Sequence, residues 1–170
     1  FERETRLRDL LLGVRGLIEY LGDSSMLVQD PDLDSRYLME LTTATIPQSI
    51  LHLDAVLTVA ARTTAGASLA DKDREEVTSL GLVISQGDLD RVSLQATKAL
   101  RANANGGDPS EALQRDLPPA LDSHGLALIN AKQSTVQLAF TADAAAYAPE
   151  FSQSVLGSLV QSHALWHTAA

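Results

Sequence analysis

The amino-acid sequence predicts an all-α protein, an elongated antiparallel four-helix bundle with proline-interrupted helices. Apolar residues recur at alternating steps of four and three over long stretches, which is the spacing of helices packed lengthwise. Hydrophobic residues make up 45% of the chain but aromatic residues only 4%, so the core must be aliphatic. No stretch shows the sustained apolar and polar alternation, rich in β-branched residues, that is typical of strands.

The first helix is predicted over approximately residues 2–28. Pro31 disfavours a helical conformation at Asp30, so this helix should end in the high twenties. Its apolar stripe consists of Leu7, Leu11, Val14, Ile18, Leu21, Ser25 and Val28.

The second helix is predicted over approximately residues 31–65. Asp30 is a suitable N-cap, and Pro31 suits the first helical position because its missing N–H is not needed there. Asp32 and Asp34 then lie in the first turn, where the helix dipole favours negative charge.

Prolines and glycines divide the rest of the chain. Pro47 predicts a kink or break within the second helix. Gly87 lies where the apolar stripe of the third helix shifts its register. The segment 103–111, NANGGDPSE, is the clearest linker, because its only apolar residue is alanine. The remaining helices are expected at approximately 69–103, 109–146 with a break near Pro118–Pro119, and 149–168.

All 170 residues are expected to form one helical-bundle domain. Helices of about 30 residues are about 45 Å long, and an even number of antiparallel passes returns the chain to its starting end. Phe1 and Ala170 are therefore expected at one pole. The loops in the 30s and at 103–111 are expected at or near the other pole.

Charge and composition exclude several functions. The net charge of −9 repels phosphate backbones, so we expect no nucleic-acid partner. The absence of cysteine excludes disulfides and thiolate catalysis. The chain begins at Phe1 without a methionine or an apolar run long enough to span a bilayer, so we interpret it as a fragment whose membrane segments lie outside it.

The three alternating aspartates suggest calcium at first sight. Asp30, Asp32 and Asp34 match positions one, three and five of an EF-hand loop. Position six is Ser35 instead of glycine, and position twelve is Leu41 instead of a bidentate glutamate, which argues against that site. Helix capping explains the aspartates, and a ligand contact built on the same turn remains open.

A second group of side chains suits a small ligand. If the first two helices pack antiparallel, Arg36 and Tyr37 lie opposite Tyr20 and Asp23, and together they can hold a small carboxylate or an amino compound. The alternative is that Arg36 pairs with acidic neighbours on a solvated face. The candidate ligand-binding residues are Tyr20, Asp23, Asp30, Asp32, Asp34, Arg36 and Tyr37.

His163 and His167 lie four residues apart, a spacing that can chelate zinc. The sequence between them lacks the glutamate of a zinc protease, and a third ligand would have to come from His124 or His52. The pair is also explained as polar residues near a membrane-proximal helix end, where Trp166 would approach a bilayer interface. We therefore predict no metal and no cofactor.

No catalytic motif is present. The sequence has no nucleophile elbow, phosphate loop or dinucleotide fingerprint, and it lacks the Glu-x-x-His pairs of di-iron bundles. We expect no enzyme activity within this chain.

The segment YLGDSSMLVQDPDLDSRYLMELTTATIPQ, residues 20–48, resembles extracytoplasmic helical-bundle sensor domains of bacterial transmembrane receptors, sensor histidine kinases and methyl-accepting chemoreceptors in particular. The specific resemblance covers roughly residues 17–50. Arg36 departs from it, because an aromatic residue is expected beside Tyr37, so the identity of the ligand does not carry over.

The resemblance implies an input domain in the periplasm, flanked by two transmembrane helices of an inner-membrane protein and homodimeric in its parent. A small-molecule ligand would alter the receptor, and catalysis would lie elsewhere in the parent protein. The leading hypothesis is the sensing domain of a two-component sensor histidine kinase. The alternatives are a chemoreceptor input domain and a dimerisation or spacer bundle without a ligand.

Overall fold

The structure, a computed structural model, describes residues 2–24, 32–62 and 68–170. Within these residues the chain forms five continuous helical stretches and no strand, which confirms the all-α prediction. The helices are α1 (Glu2–Ser24), α2 (Leu33–Glu40), α3 (Ile46–Ala60), α4 (Asp71–Leu82), α5 (Leu89–Ala104), α6 (Glu111–Phe140) and α7 (Ala144–Ala169). π-Helical segments at Leu41–Thr45 and Val83–Asp88 join α2 to α3 and α4 to α5 without a break.

Side-chain caps fix the starts of the last two helices. The Ser110 hydroxyl accepts a hydrogen bond from the Leu113 N–H at 3.3 Å, and the Asp143 carboxylate accepts one from the Ala146 N–H at 2.9 Å. Each cap satisfies a donor that the first turn of a helix leaves without a partner. The last connection therefore lies at 141–143, ahead of the expected position.

The proline interruptions expected in the last two helices are wrong. α6 continues through Pro118 and Pro119, and α7 continues through Pro149. A helical proline removes the donor to the carbonyl four residues earlier, which for α6 means Gln114 and Arg115. These carbonyls belong to a half-buried and an exposed residue near the start of α6, and a helix can continue through a proline with a bend.

The core consists of two apolar clusters that are separate along every helical stretch from residue 33 onward. The first, the Phe151 cluster, comprises Leu53, Val56, Val59, Ala60, Leu69, Val77, Ile84, Leu128, Ala131, Leu138, Ala139, Ala144, Phe151 and Val155. The second, the Leu117 cluster, comprises Leu41, Ile46, Val92, Ala96, Leu117, Leu165 and Ala169. The heptad-like spacing of these residues places them on one face of each helix.

The order of the two clusters reverses from each of these stretches to the next. Residues 33–60 meet the Leu117 cluster first, residues 71–104 meet the Phe151 cluster first, and the stretches 111–140 and 144–169 repeat this alternation. Consecutive stretches therefore run in opposite directions.

The expected positions of the chain ends need a correction. Ala169, at the end of α7, belongs to the same cluster as Leu41 and Leu117, which lie near the starts of the stretches 33–60 and 111–140. The end of α7 is thus at the same pole as the 103–111 turn. The prediction counted the first helix as one of four antiparallel passes, but α1 contributes no described residue to the core. Phe1 itself lies outside the described residues.

α1 packs beside the first π-helical segment, Leu41–Thr45. None of its side chains that the structure describes is buried, and several large apolar ones are more than 45% exposed. The exposed apolar residues of α1 are Leu10, Leu12, Val14, Leu17, Tyr20 and Leu21.

Candidate functional site

Two of the predicted ligand residues, Asp34 and Tyr37, lie on α2 facing α5. Asp34 is half-buried, and its carboxylate accepts a hydrogen bond from the Asn103 side-chain amide at 3.0 Å. The Lys98 ammonium lies 5.4 Å from the centre of the half-buried Tyr37 ring, within the range of a cation–π interaction. The second helix thus directs an acid and a phenol to the end of α5, where a cation and an amide meet them.

The other predicted ligand residues lie elsewhere. Arg36 is exposed, and Tyr20 on α1 is 67% exposed. Asp32 is exposed and occupies the N-cap position of α2, with an extended backbone. Asp30 and the side chain of Asp23 lie outside the described residues, as does the predicted N-cap at Asp30.

A partly buried polar network extends from Asp34 through α5 to α6. Asn103 is 3% exposed, and its side-chain oxygen Oδ1 accepts a hydrogen bond from the Gln114 side-chain amide at 3.0 Å. The same amide of Gln114 donates to the Leu100 carbonyl at 2.8 Å. Asn103 falls in the segment that we assigned to a linker, so its structural role was missed.

A shallow cleft of about 530 Å³ adjoins this network between the end of α5 and the start of α6. Arg115 at its rim donates to Asp116 at 2.7 Å, and this hydrogen bond lowers the pKa of the Asp116 carboxyl. The cleft and the network share Gln114, so a small polar molecule in the cleft can reach the chain of hydrogen bonds that leads to Asp34. The cleft is lined by Ala104, Pro109, Glu111, Gln114 and Arg115.

A layer of buried and half-buried polar side chains separates the two apolar clusters. Along each of the four stretches from residue 33 onward, its members lie after the last residue of one cluster and before the first residue of the other. The central polar layer comprises Ser49, His52, Asp88, His124, Ser158 and Ser162.

His52 and Asp88 contact each other within the layer. The His52 Nδ1 atom lies 2.8 Å from the Asp88 carboxylate, of which only 4% is exposed, while the Gln48 amide donates to His52 Nε2 at 2.8 Å. A proton on Nδ1 satisfies the carboxylate, and Nε2 then accepts from Gln48. The pair joins α3 to the end of the second π-helical segment.

His124 is fully buried, and burial lowers its pKa to about 4, although the negative charge of Asp88 acts in the opposite direction. Its Nδ1 atom lies 3.2 Å from the Ser162 hydroxyl, which donates its single proton to the Ser158 carbonyl at 2.9 Å. Nδ1 therefore carries the imidazole proton. Nε2 is left as an acceptor without a partner in the described structure.

Three buried polar atoms have no hydrogen-bond partner among the described residues: Ser49 Oγ, His124 Nε2 and Gln95 Oε1. Two of them belong to the central polar layer, and Gln95 lies on α5 beside the Leu117 cluster. An unsatisfied buried group costs about 1–3 kcal/mol, so these groups reduce the stability of the fold.

The first π-helical segment is linked directly to α7. In its i+5 hydrogen-bonding pattern the Ile46 N–H donates to Leu41, and the next donor in that pattern would be Pro47, which has no N–H. The carbonyl that this proline leaves without a donor belongs to Thr42. The Trp166 indole N–H donates to it at 2.8 Å, so a side chain of α7 supplies the missing donor.

The second π-helical segment ends at Asp88. A π turn adds one residue to a helix and changes the direction of the side chains that follow. This segment lies where the sequence showed a shift of register around Gly87, and it directs Asp88 into the core. Polar residues at core-facing positions of the heptad pattern could have predicted this layer. His52 and His124 enter the sequence-based predictions only as possible metal ligands.

No group of three His, Asp or Glu side chains within 2–24, 32–62 and 68–170 is arranged to hold a metal ion. In the same ranges, no helix is both long and apolar enough to cross a bilayer. No protein-family model, curated protein or solved structure matches the chain.

Proposed function

We propose that this chain is the extracytoplasmic signal-sensing domain of a transmembrane receptor, with a two-component sensor histidine kinase as the parent. The observation that carries the proposal is the hydrogen bond from Trp166 to Thr42. It joins the π-helical segment that follows α2 to α7 through a directional contact, and α2 holds the candidate ligand residues Asp34, Arg36 and Tyr37. The resemblance of residues 20–48 supports the same function.

The architecture that we propose is an antiparallel four-helix bundle made by the stretches 33–60, 71–104, 111–140 and 144–169. The reversal of cluster order from one stretch to the next supports it. α1 is then a fifth helix outside the bundle, and its exposed apolar face is available to the partner subunit of a homodimeric receptor.

The ligand site that we propose lies at the pole that contains Asp34, Tyr37 and Asn103. An acid, a phenol and a buried amide there suit a small amino compound or a small carboxylate, and the exposed Arg36 lies beside them in sequence. The adjoining cleft is open to solvent, so such a molecule can enter without unfolding the helices.

Transmission would use the short distance between this pole and α7. Thr42 follows Tyr37 by five residues, about 7.5 Å along a helix axis. A ligand that favours one arrangement of α2 over another would change the π-helical segment and the Trp166 contact, and α7 would then shift. Only a difference in ligand affinity between the two arrangements can drive this change.

A chemoreceptor input domain is the close alternative, since the same type of module serves both outputs. A spacer bundle without a ligand is the alternative from another class, and a continuous apolar core would favour it. The central polar layer, which costs stability, favours the sensing domain instead.

A thermal-shift screen of small carboxylates and amines tests the proposal. We expect at least one compound to raise the melting temperature, and we expect Asp34→Asn and Tyr37→Ala to weaken its binding about tenfold, a loss of about 1.4 kcal/mol. Asp90→Asn, which removes an exposed acid on α5, is the matched control and should bind normally. Hits that bind equally well to all variants would exclude this site.

The receptor context is tested by determining the coding sequence on both sides of this segment. We expect an apolar span of about 20 residues on each side. Flanks without such spans would contradict the membrane location and would favour the spacer.

A further inference from the structure

We propose that His163 and His167 form a surface binding site for a divalent transition-metal ion, with Cu²⁺ bound most tightly. Both side chains are exposed on α7, and their ring centres are 4.5 Å apart with the ring planes at 76°. This inference does not rest on the proposed sensing function, because it uses only the two imidazole side chains.

The geometry suits two ligands of one ion. Two imidazole nitrogens bound to one metal at about 2.0–2.1 Å are about 3 Å apart when they occupy neighbouring coordination positions. Rings at this separation on one helix face need only side-chain rotation to reach that arrangement. Both rings are solvent-accessible, so an ion can arrive with its water molecules and keep them at its remaining positions.

The charge around the pair favours a cation. His163 and His167 both lie on α7. The chain as a whole has a net charge of −9. Electrostatics thus adds to coordination at this end of the helix.

The donor set selects the type of ion. No third His, Asp or Glu side chain of the described residues joins the pair, so the site offers two nitrogen atoms and water. Such a site does not enclose Ca²⁺ or Mg²⁺, which require oxygen ligands, and it binds first-row ions in the Irving–Williams order, with Cu²⁺ ahead of Ni²⁺ and Zn²⁺.

The chain provides its own reporter of binding. Trp166 is the only tryptophan, and its ring centre lies 5.3 Å from that of His167. Paramagnetic Cu²⁺ at the pair would quench this fluorescence, whereas Zn²⁺ would bind without quenching. The indole also donates to Thr42, so the ion would sit beside the link between α7 and α2.

The test is a titration of the purified protein with CuCl₂ while Trp166 fluorescence is recorded. We expect saturable quenching at one ion per chain, reversal by excess Zn²⁺, and an electron paramagnetic resonance spectrum of Cu²⁺ with two nitrogen ligands. His163→Gln and His167→Gln should each weaken binding about tenfold, because the second imidazole acts as a ligand at high effective concentration.

A spacing control keeps the number of histidines constant. His167→Gln combined with Leu156→His leaves two exposed histidines two turns apart, about 10 Å along the helix, which is too far for one ion. This variant should bind as weakly as His167→Gln alone. Equal quenching of the spacing control, of the double variant His163→Gln/His167→Gln, or of both would overturn the proposal, as would quenching that never saturates.

Discussion

The two halves of the core differ in size and in the polar contacts that flank them. The Phe151 cluster is the larger and consists of closely packed apolar side chains from every stretch of the proposed bundle. The Leu117 cluster is smaller, and two sets of directional polar contacts flank it: the Trp166–Thr42 bond and the Asp34–Asn103–Gln114 network. The central polar layer lies between them.

This difference assigns the two halves different roles. Close packing is cooperative and has no low-energy alternative, so the Phe151 cluster anchors the fold. The Leu117 half is flanked by the Asp34–Asn103–Gln114 network, in which single hydrogen bonds contribute only about 1 kcal/mol each. The candidate ligand residues lie in that half.

The largest effect is expected from truncation of the anchor. Phe151 is fully buried, so Phe151→Ala should lower the free energy of unfolding by about 3–5 kcal/mol through lost burial and the cavity that remains. Urea denaturation followed by circular dichroism measures this loss. Phe140→Ala, which removes a phenylalanine that is 72% exposed, is the matched control and should change stability by less than about 0.5 kcal/mol.

Acid should destabilise the protein through the central polar layer. The pKa of His124 falls from 6.5 to about 4 on folding, so between these pH values the unfolded chain binds more protons than the folded chain. The free energy of unfolding therefore decreases as the pH is lowered. Stability that is present above pH 6.5 is lost as the pH falls through about 4, by about 3 kcal/mol in all.

The comparison with His124→Leu isolates this effect. The variant should lack that part of the pH dependence and should be about 1 kcal/mol more stable at pH 7, because it removes a partly satisfied polar group. His52 and Asp88, which face the layer from other helices, are present in both proteins. Denaturant midpoints of both proteins from pH 7 to pH 4 provide the measurement, and parallel curves would contradict the assignment.

A smaller loss is expected where α4 and α6 approach closely. A Cβ atom at Gly81 would collide with the Thr135 side chain, so Gly81→Ala should cost about 1–3 kcal/mol. Gly157 has open space around it, so Gly157→Ala should stabilise α7 by about 0.5–1 kcal/mol. The two substitutions make the same chemical change, and thermal unfolding of both separates packing from backbone entropy. A gain in stability for both would show that the close approach carries no cost.

The sequence predicted the features of the fold that follow from a regular spacing of residues. The all-α class followed from the spacing of apolar residues, because each helix must place its stripe on the core. The breaks expected at Pro118–Pro119 and Pro149 are wrong, since local propensity does not record that packing on both sides can hold a helix together across a proline. The central polar layer was missed because its hydrogen bonds join residues such as His52 and Asp88 that are distant in sequence.

The candidate site was predicted only in part. The residues around Asp34 and Tyr37 in the sequence marked both as candidate ligand residues, and both contact α5. Their partners Asn103 and Lys98 carry no motif and come within reach only when the helices pack. Trp166 was interpreted as a membrane-interface residue, and its bond to Thr42 depends on a π-helical turn that sequence patterns do not reveal.

The last of these effects tests the polar contacts of the Leu117 half directly. Trp166→Phe keeps an aromatic ring but leaves the Thr42 carbonyl without its donor, so it should cost about 1–2 kcal/mol. Pro47→Ala restores a backbone N–H at the position that the i+5 pattern requires, so Trp166→Phe should cost less than about 0.5 kcal/mol in that background. Chemical denaturation of the four proteins gives the coupling energy, and native-state hydrogen exchange should show lost protection near Leu117 but not near Phe151. A cost that is the same in both backgrounds would mean that the indole stabilises α7 by packing alone.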